Sequence, residues 1–240
     1  MEVELPRRIV VVPTYQEREA LPRFLASFEP TGFGALVVDD ASPDGTADWA
    51  EAYARDHPWL HVLRRGGKEG LGTAYRAGFA WCLERGYEVV GQMDADLSHP
   101  PDALAGMAAE LERGADLVVG SRFVRGGKTV GWPRRRTVQS YAALLPARLL
   151  LRLPVVDVTG GFKLWRADAL RRIEVETTVS QGYVFQIETA HRAARAGLRI
   201  VELPITFRER EVGASKLSAA VKREGIAVVL RLARDPWRPR

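Results

Sequence analysis

An open α/β sheet, mostly parallel and with helices on both faces, is the fold class this 240-residue sequence predicts. Three observations lead there. Short β-branched runs recur through the first half, each is nearly all apolar, and longer helical patterns lie between them. A strand without a polar face suits a parallel sheet covered on both sides. The resulting β-α-β-α-β-α-β rhythm is that of an open α/β domain.

Taken in order, strands are expected at residues 9–12, 35–38, 89–93 and 117–119. Helices are expected near 17–28, 45–56, 71–84 and 101–113. Two of these carry start signals, Ser42-Pro43-Asp44 before one and His99-Pro100-Pro101-Asp102 before the other. After Arg122 the rhythm breaks, and Gly126-Gly127-Lys128 with Gly131-Trp132-Pro133 marks a loop. Two more strands are expected at 161–165 and 199–207, separated by a helix at 184–196. There is no internal repeat or low-complexity linker. The chain therefore reads as one domain over 1–240, with a specialised second half after residue 122.

Bulk properties narrow the function. No stretch approaches the ~18 uncharged residues of a spanning helix, and the first residues lack the apolar core of an export signal. The single cysteine, Cys82, excludes an internal disulfide framework and fits a reducing cytoplasm. The net charge of +5 gathers in the second half, at Arg134-Arg135-Arg136, Arg148, Arg152 and along the C-terminal segment. Such runs suit a phosphorylated substrate, an anionic membrane or simply a solvated surface.

In an open parallel sheet, ligands bind beyond the carboxyl ends of the strands. The four tips here carry Pro13-Thr14-Tyr15-Gln16-Glu17, then Asp39-Asp40-Ala41-Ser42-Pro43-Asp44, then Asp94-Ala95-Asp96-Leu97-Ser98-His99, then Gly120-Ser121-Arg122. A single acid at such a place is more often a helix cap, and Asp44 and Ser42 fit that role. Asp94 and Asp96 are harder to explain so. Two carboxylates one residue apart repel each other unless a cation lies beside them. Oxygen ligands suit Mg2+ or Mn2+, and Mg2+ takes one or two carboxylates together with substrate phosphates. Gly66-Gly67-Lys68-Glu69-Gly70-Leu71-Gly72 has neither the order of a P-loop nor that of a dinucleotide fingerprint, so a tight turn into a helix is expected. Cys82 is expected in the core. His57, His61, His99 and His191 show no metal-ligand spacing and are expected at the surface or as caps.

Together these motifs resemble the inverting family 2 glycosyltransferases of the GT-A (nucleotide-diphospho-sugar transferase) fold. Within that family they are most similar to the polyprenol-phosphate (dolichol-phosphate) mannose synthases. The similarity continues through Asp157-Val158-Thr159-Gly160-Gly161-Phe162-Lys163, Gln181-Gly182-Tyr183-Val184-Phe185-Gln186-Ile187-Glu188 and Arg210 to Lys216, and so covers nearly the whole chain. It implies transfer of mannose from GDP-mannose to a polyprenol (dolichol) monophosphate. Pro13, Tyr15, Glu17, Val38 and Asp40 would border the nucleoside, and Asp94 and Ala95 would contact the nucleotide. Asp96 would be the principal ligand of Mg2+ or Mn2+, with Asp94 beside it and Ser98 as a neutral oxygen ligand. Arg122, Arg210 and Lys216 would face the diphosphate and sugar, and with Asp96 they form the implied catalytic set. Arg136 and Ser140, four apart on one helical face, would hold the acceptor phosphate.

The residue types suit that chemistry. A lipid monophosphate has a second pKa near ~6 and is already anionic at neutral pH, so it needs orienting cations and no strong base. Guanidinium groups bind phosphate through paired donors. Asp40 and Glu188 then need not act as bases. The plain account of Arg210 and Lys216 is a pair of loop surface charges.

Segments 138–153 and 217–234 are candidate membrane-interface helices, with Arg148 and Arg152 on one face of the first. The alternative is that both complete the core. The expected location is the cytoplasmic face of a membrane, bound peripherally or through a separate tether protein. The nearest rival is the same fold with UDP-glucose or another donor or acceptor. A non-catalytic nucleotide-binding module is the rival from another class. Nucleic acid is not an expected partner, because the strand tips are acidic and the aromatics are not interleaved with basic residues.

Overall fold

The computed structural model describes residues 7–209, 219–234 and 237–238. Strand β1 (Arg8–Thr14) leads to helix α1 (Leu21–Phe28), β2 (Gly34–Asp39) to α2 (Thr46–Ala54), β3 (Leu60–Arg64) to α3 (Leu71–Glu84), and β4 (Val89–Gln92) to α4 (Ala103–Glu112). β5 (Leu117–Ser121) precedes the short β6 (Lys128–Val130) and the long α5 (Arg134–Leu150). There follow β7 (Lys163–Arg166), α6 (Ala167–Arg172), α7 (Val184–Arg195), β8 (Ile200–Pro204), β9 (Thr206–Arg208) and α8 (Ala219–Arg234).

Seven strands form one sheet in the order β3-β2-β1-β4-β7-β5-β8. Among the described strands of this sheet only β7 runs antiparallel to its neighbours, β4 and β5. The apolar runs explain the sheet's two covered faces. Ile9, Val11, Leu36 and Val38 enter one core with Tyr75 and Phe79 of α3 and Phe185 of α7. Their alternates Val10, Val12, Ala35 and Val37 enter the other with Phe24 and Phe28 of α1 and Leu104 and Met107 of α4. Each such valine, leucine, isoleucine, methionine or phenylalanine contributes about 1.5–3 kcal/mol by leaving water. Cys82 is fully buried, as expected of a core residue.

Some elements depart from the expectations. β3 lies at the sheet edge, where only Leu60 is fully covered, and its sequence Leu-His-Val-Leu-Arg shows no clean apolar run. β6, expected as loop, pairs in parallel with β9 as a separate two-stranded sheet. The single strand expected at 199–207 is two: β8 stays in the main sheet, and the chain changes sheets at the buried Ile205. The segment 138–153 is not one continuous helix either. α5 starts at Arg134 and stops at Leu150, Arg152 is left-handed (φ +51°), and Leu151 and Leu153 turn into the core. Arg148 and Arg152 therefore do not share a helical face.

On α5 itself, Val138, Tyr141, Leu145 and Leu149 remain exposed at spacings of three and four, a stripe along one side. Ile226 and Leu230 of the neighbouring α8 are exposed as well. Among the described residues no helix is long and apolar enough to cross a membrane.

Two glycines set where α3 sits. Gly70 opens the helix at φ +102°. A Cβ on Gly72 would lie 2.2 Å from the backbone oxygen of Ser180, so the segment before α7 can press against the start of α3 only because that side chain is missing. Residues 66–70 thus form the turn into a helix that the sequence predicts. Since the obstruction is backbone, Gly72→Ala is expected to destabilise the fold by about 2–3 kcal/mol. Urea unfolding checks this, and an unchanged midpoint would contradict the packing described.

Candidate functional site

β2, β1 and β4 are adjacent in the sheet, and their carboxyl ends bring three predicted tips together. Each tip turns through one non-glycine residue in the left-handed region: Gln16 (φ +59°), Ala41 (φ +55°) and Leu97 (φ +63°). Such positions cost about 1–3 kcal/mol and persist only where surrounding bonds enforce them. At the first two tips those bonds are visible. Asp39, buried at the end of β2, accepts from the Thr14 hydroxyl (3.0 Å), the Ser42 hydroxyl (2.6 Å) and the Ser42 N–H (2.8 Å). Ser42 Oγ accepts from the Gln16 N–H at 3.0 Å. Asp44 accepts from both the N–H and the hydroxyl of Thr46, the first residue of α2, but it stands one residue before the N-cap, which is Gly45 rather than either residue expected there. Asp39, Ser42 and Asp44 are scaffold, and they aim their neighbours.

Those neighbours are the predicted nucleoside residues. Pro13, Tyr15 and Glu17 are half-buried at the end of β1, and Val38 is buried beneath them. Lys68 lies over the Tyr15 ring with Nζ 3.7 Å from its centroid. Asp40 is nearly buried and pairs with Arg65 at 2.5 Å. Burial pushes the Asp40 carboxyl above its ordinary range, and the Arg65 charge works against that shift. Nothing in the sequence marks Arg65 as a site residue, and Lys68 appears there only within a glycine-rich segment that lacks P-loop order. Their signal was position alone, since both follow the edge strand β3, which was itself missed.

The Asp94-Ala95-Asp96 tip is the most enclosed. Ala95 and Asp96 are buried and Asp94 is half-buried. Asp96 Oδ1 accepts from the Ser98 N–H at 3.0 Å and from the Ser98 hydroxyl. Under the pair lies Tyr75, fully buried, whose hydroxyl has no hydrogen-bond partner among the described residues. Burial, and after it the charges of Asp94 and Asp96, drives that phenol well above its usual pKa. His99 is not at the surface as expected. It is 4 % exposed, stacks on Phe162, and accepts the Asp94 N–H at Nδ1 (3.2 Å), so its proton sits on Nε2. His191 is likewise buried, and neither of its ring nitrogens has a hydrogen-bond partner among the described residues. His57 and His61 are half-buried, and His57 bonds the Tyr53 carbonyl after α2 as a cap would.

Among the described residues there is no group of three or more His, Cys, Asp or Glu side chains placed to hold a metal. Two carboxylates with a serine hydroxyl are instead a partial set of hard oxygens. That fits a Mg2+ or Mn2+ ion which takes its remaining ligands from substrate phosphates and water.

Arg122 reaches the same rim from β5, but its guanidinium is already engaged. Nε and Nη2 donate to the fully buried Asp157 at 2.8 and 2.6 Å, and the Arg122 N–H adds a third bond at 3.0 Å. Asp157 is itself held, because Glu202 accepts its N–H and that of Val156. Around Arg122 stand Phe123, Phe207 and Trp132, with ring centroids 5.0, 5.2 and 5.9 Å from the guanidinium carbon. Trp132 also carries Arg136 on its face at 4.3 Å. Phe207 touches both Trp132 and His99 edge-to-face. A continuous run of rings thus joins the Asp94 tip to Arg136. Arg136 pairs with Glu209, and Ser140 lies half-buried one turn further along α5. Arg210 and Lys216 lie outside the described residues. Glu188 organises the segment before α7, accepting the N–H groups of Val179 and Ser180 and pairing with Arg192 at 2.9 Å.

Removing the Asp157 charge leaves a nearly buried guanidinium uncompensated. Asp157→Asn is therefore expected to cost about 3 kcal/mol of stability. Thermal and urea unfolding measure it, and a loss below ~0.5 kcal/mol would mean that the pair does not organise this rim.

Comparison with known proteins identifies the family and the fold. Residues 9–174 match the family model described as glycosyl transferase family 2. An undecaprenyl-phosphate mannosyltransferase of Micrococcus luteus is 49% identical over 227 residues, covering 94% of this chain and 93% of its own. A polyprenol monophosphomannose synthase of Mycolicibacterium smegmatis is 44% identical over 223 residues, covering 92% and 84%. A mannosyltransferase from Pyrobaculum calidifontis, solved with GDP-Man and Mn2+, shares the fold with a TM-score of 0.66 at 20% identity, over 99% of this chain and 67% of that one. The sheet order, the acidic strand tips and the span of the match lead to one conclusion: this chain belongs to glycosyl transferase family 2.

Proposed function

We propose that this glycosyltransferase moves mannose from GDP-mannose to a polyprenyl monophosphate, with inversion at the sugar. The observation that carries the acceptor half is the first turn of α5. It holds Arg134, Arg135 and Arg136 and no acidic residue, at the helix end where backbone N–H groups already concentrate positive charge. Cations there are unfavourable by roughly 0.3–1 kcal/mol each until an anion arrives. A phosphate would be that anion, meeting free N–H groups and guanidinium forks together. Support for the lipid comes from the two relatives, which are named for undecaprenyl phosphate and polyprenol. Support for GDP-mannose comes from their mannosyl names and from the ligand of the Pyrobaculum structure.

In this reading residues 1–122 bind the donor. Tyr15, Glu17 and Asp40 border the nucleoside, and Asp96 with Asp94 and Ser98 would hold Mg2+ or Mn2+. The ion would supply charge neutralisation for the departing diphosphate. Residues 123–240 present the acceptor. Arg136, released from Glu209, and Ser140 orient the lipid phosphate so that one of its oxygens attacks the anomeric carbon from the face opposite the diphosphate. The new carbon–oxygen bond forms as the old one breaks, and the electron pair leaves with GDP. No proton has to be removed, because the phosphate is already ionised. Arg122 has its Nε–Nη2 edge on Asp157, so it would act on the donor through Nη1, with Arg210 and Lys216 as the other cations.

The exposed stripe of α5, beginning at Val138 two residues after Arg136, would enter the headgroup region of a cytoplasmic membrane face, with Ile226 and Leu230 beside it. Membrane binding would then bring the lipid phosphate to the arginines without a spanning helix. A tether protein covering the same stripe is the alternative arrangement.

The test is transfer of label from GDP-mannose into extractable lipid with polyprenyl phosphate and Mn2+ or Mg2+. Chelation of the metal, or Asp96→Ala, is expected to lower turnover by about 10³-fold or more. Arg136→Ala is expected to raise the acceptor KM about tenfold and leave the donor KM within about twofold. Near-normal turnover of Asp96→Ala, or preferred transfer from UDP-glucose, would overturn the reading.

A further inference from the structure

The indole of Trp165 sets the direction of a chain of buried amides that ends beside Asp94. Trp165 is fully buried in β7, and its Nε1–H can only donate. It meets Gln92 Oε1 at 3.1 Å. The Gln92 amide nitrogen must then face the other way, and it donates to Gln186 Oε1 at 2.7 Å. That in turn leaves the Gln186 Nε2 group turned away from Gln92. Amide orientation is ordinarily ambiguous, but here flipping Gln92 would set its NH2 against the indole N–H. Gln92 and Gln186 are 0% and 2% exposed, so water offers little relief.

The main chain of Gln186 is pinned as well. Lys163 Nζ donates to the Gln186 carbonyl at 2.8 Å and to the Thr189 hydroxyl at 3.2 Å. Lys163 is the cross-strand partner of Gln92 and is 1% exposed. Burial lowers its pKa to about 7, with the Asp157 charge acting in the other direction. These two bonds from a buried amine hold the first turn of α7 in place.

The Gln186 amide opens onto the niche over Gly161. A Cβ on Gly161 would sit 3.8 Å from Gln186 Nε2, 3.8 Å from Asp94 Oδ2 and 3.5 Å from His99 Cε1. Glycine keeps this space clear, with a hydrogen-bond donor on one side and a carboxylate acceptor on the other. A sugar hydroxyl, which accepts one hydrogen bond and donates another, matches that pair.

We infer that Gln186 is a sugar-recognition residue whose amide N–H donates to a hydroxyl of the donor hexose over Gly161, in an orientation imposed by Trp165 through Gln92. The inference rests on the nucleotide-sugar reading of the site. Trp165, Gln92 and Lys163 are positioning residues, and Gln186 makes the contact.

The experiment compares affinities for GDP and GDP-mannose, both with saturating Mn2+ and no acceptor, in wild type, Gln186→Met and Trp165→Phe. The expected result is that Gln186→Met weakens GDP-mannose about tenfold (~1.4 kcal/mol) and leaves GDP within about twofold. Trp165→Phe removes only the orienting donor and is expected to weaken GDP-mannose about threefold, again sparing GDP. A GDP-mannose to GDP ratio identical in all three proteins, whether both affinities fall or neither does, would overturn the inference. If Gln186→Met does not fold, the ratio in Trp165→Phe decides. Should wild type bind GDP and reject GDP-mannose, the donor reading fails separately, and the comparison is repeated with the nucleotide sugar that does bind and its free nucleotide.

Discussion

Crowded negative charge at one edge of the sheet is the constraint on which the rest of this structure depends. Two like charges about 5 Å apart repel by about 3 kcal/mol at an effective dielectric of 20. The protein answers with a separate device for each acid. Asp39 is wrapped by hydroxyls and an N–H, and Asp40 is paired with Arg65. Asp157 is clamped by Arg122, and Glu188 is divided between two N–H groups and Arg192. Asp96 takes the N–H and hydroxyl of Ser98. The Asp94 and Asp96 pair differs in standing, with the Ser98 oxygen, at the most enclosed of the strand tips. That is where a hard divalent ion and a diphosphate can complete the balance.

The same edge explains how two substrates can meet. In the proposed reading the acceptor residues Arg136 and Ser140 belong to the second half of the chain and most donor residues to the first, and the aromatic run His99, Phe207, Trp132 lies between the Asp94 tip and Arg136. Because Phe207 and Trp132 also flank Arg122, one cluster buttresses both the Asp94 tip and the arginine expected to receive phosphate. The two-stranded sheet of β6 and β9 carries these rings into place.

Much of this was legible in the residues. Apolar runs such as Ile9-Val10-Val11-Val12 can be satisfied only between two helical layers, so the doubly covered sheet followed from them. The acidic tips followed from knowing where an open sheet binds ligands. What stayed hidden is what depends on tertiary partners. β3 alternates too little to announce itself, and β6 exists only through β9. His99 looked like a cap because nothing local reveals that Phe162 and Phe207 will enclose it. Arg152 continues a helical pattern locally, and only the burial of Leu151 and Leu153 on either side turns it out of the helix. The amide chain from Trp165 to Gln186 joins residues 92, 165 and 186, and no spacing rule connects them.

In the proposed mechanism Asp96, with its neighbours at the end of β4, would gather a divalent ion and the donor's diphosphate at one point. Anomalous diffraction from crystals grown with GDP and Mn2+ tests it most directly. The account predicts one strong manganese peak within ligand distance of the Asp96 carboxylate and of a GDP phosphate oxygen. A peak bound elsewhere, or ordered GDP at this edge with no manganese beside Asp96, would contradict it.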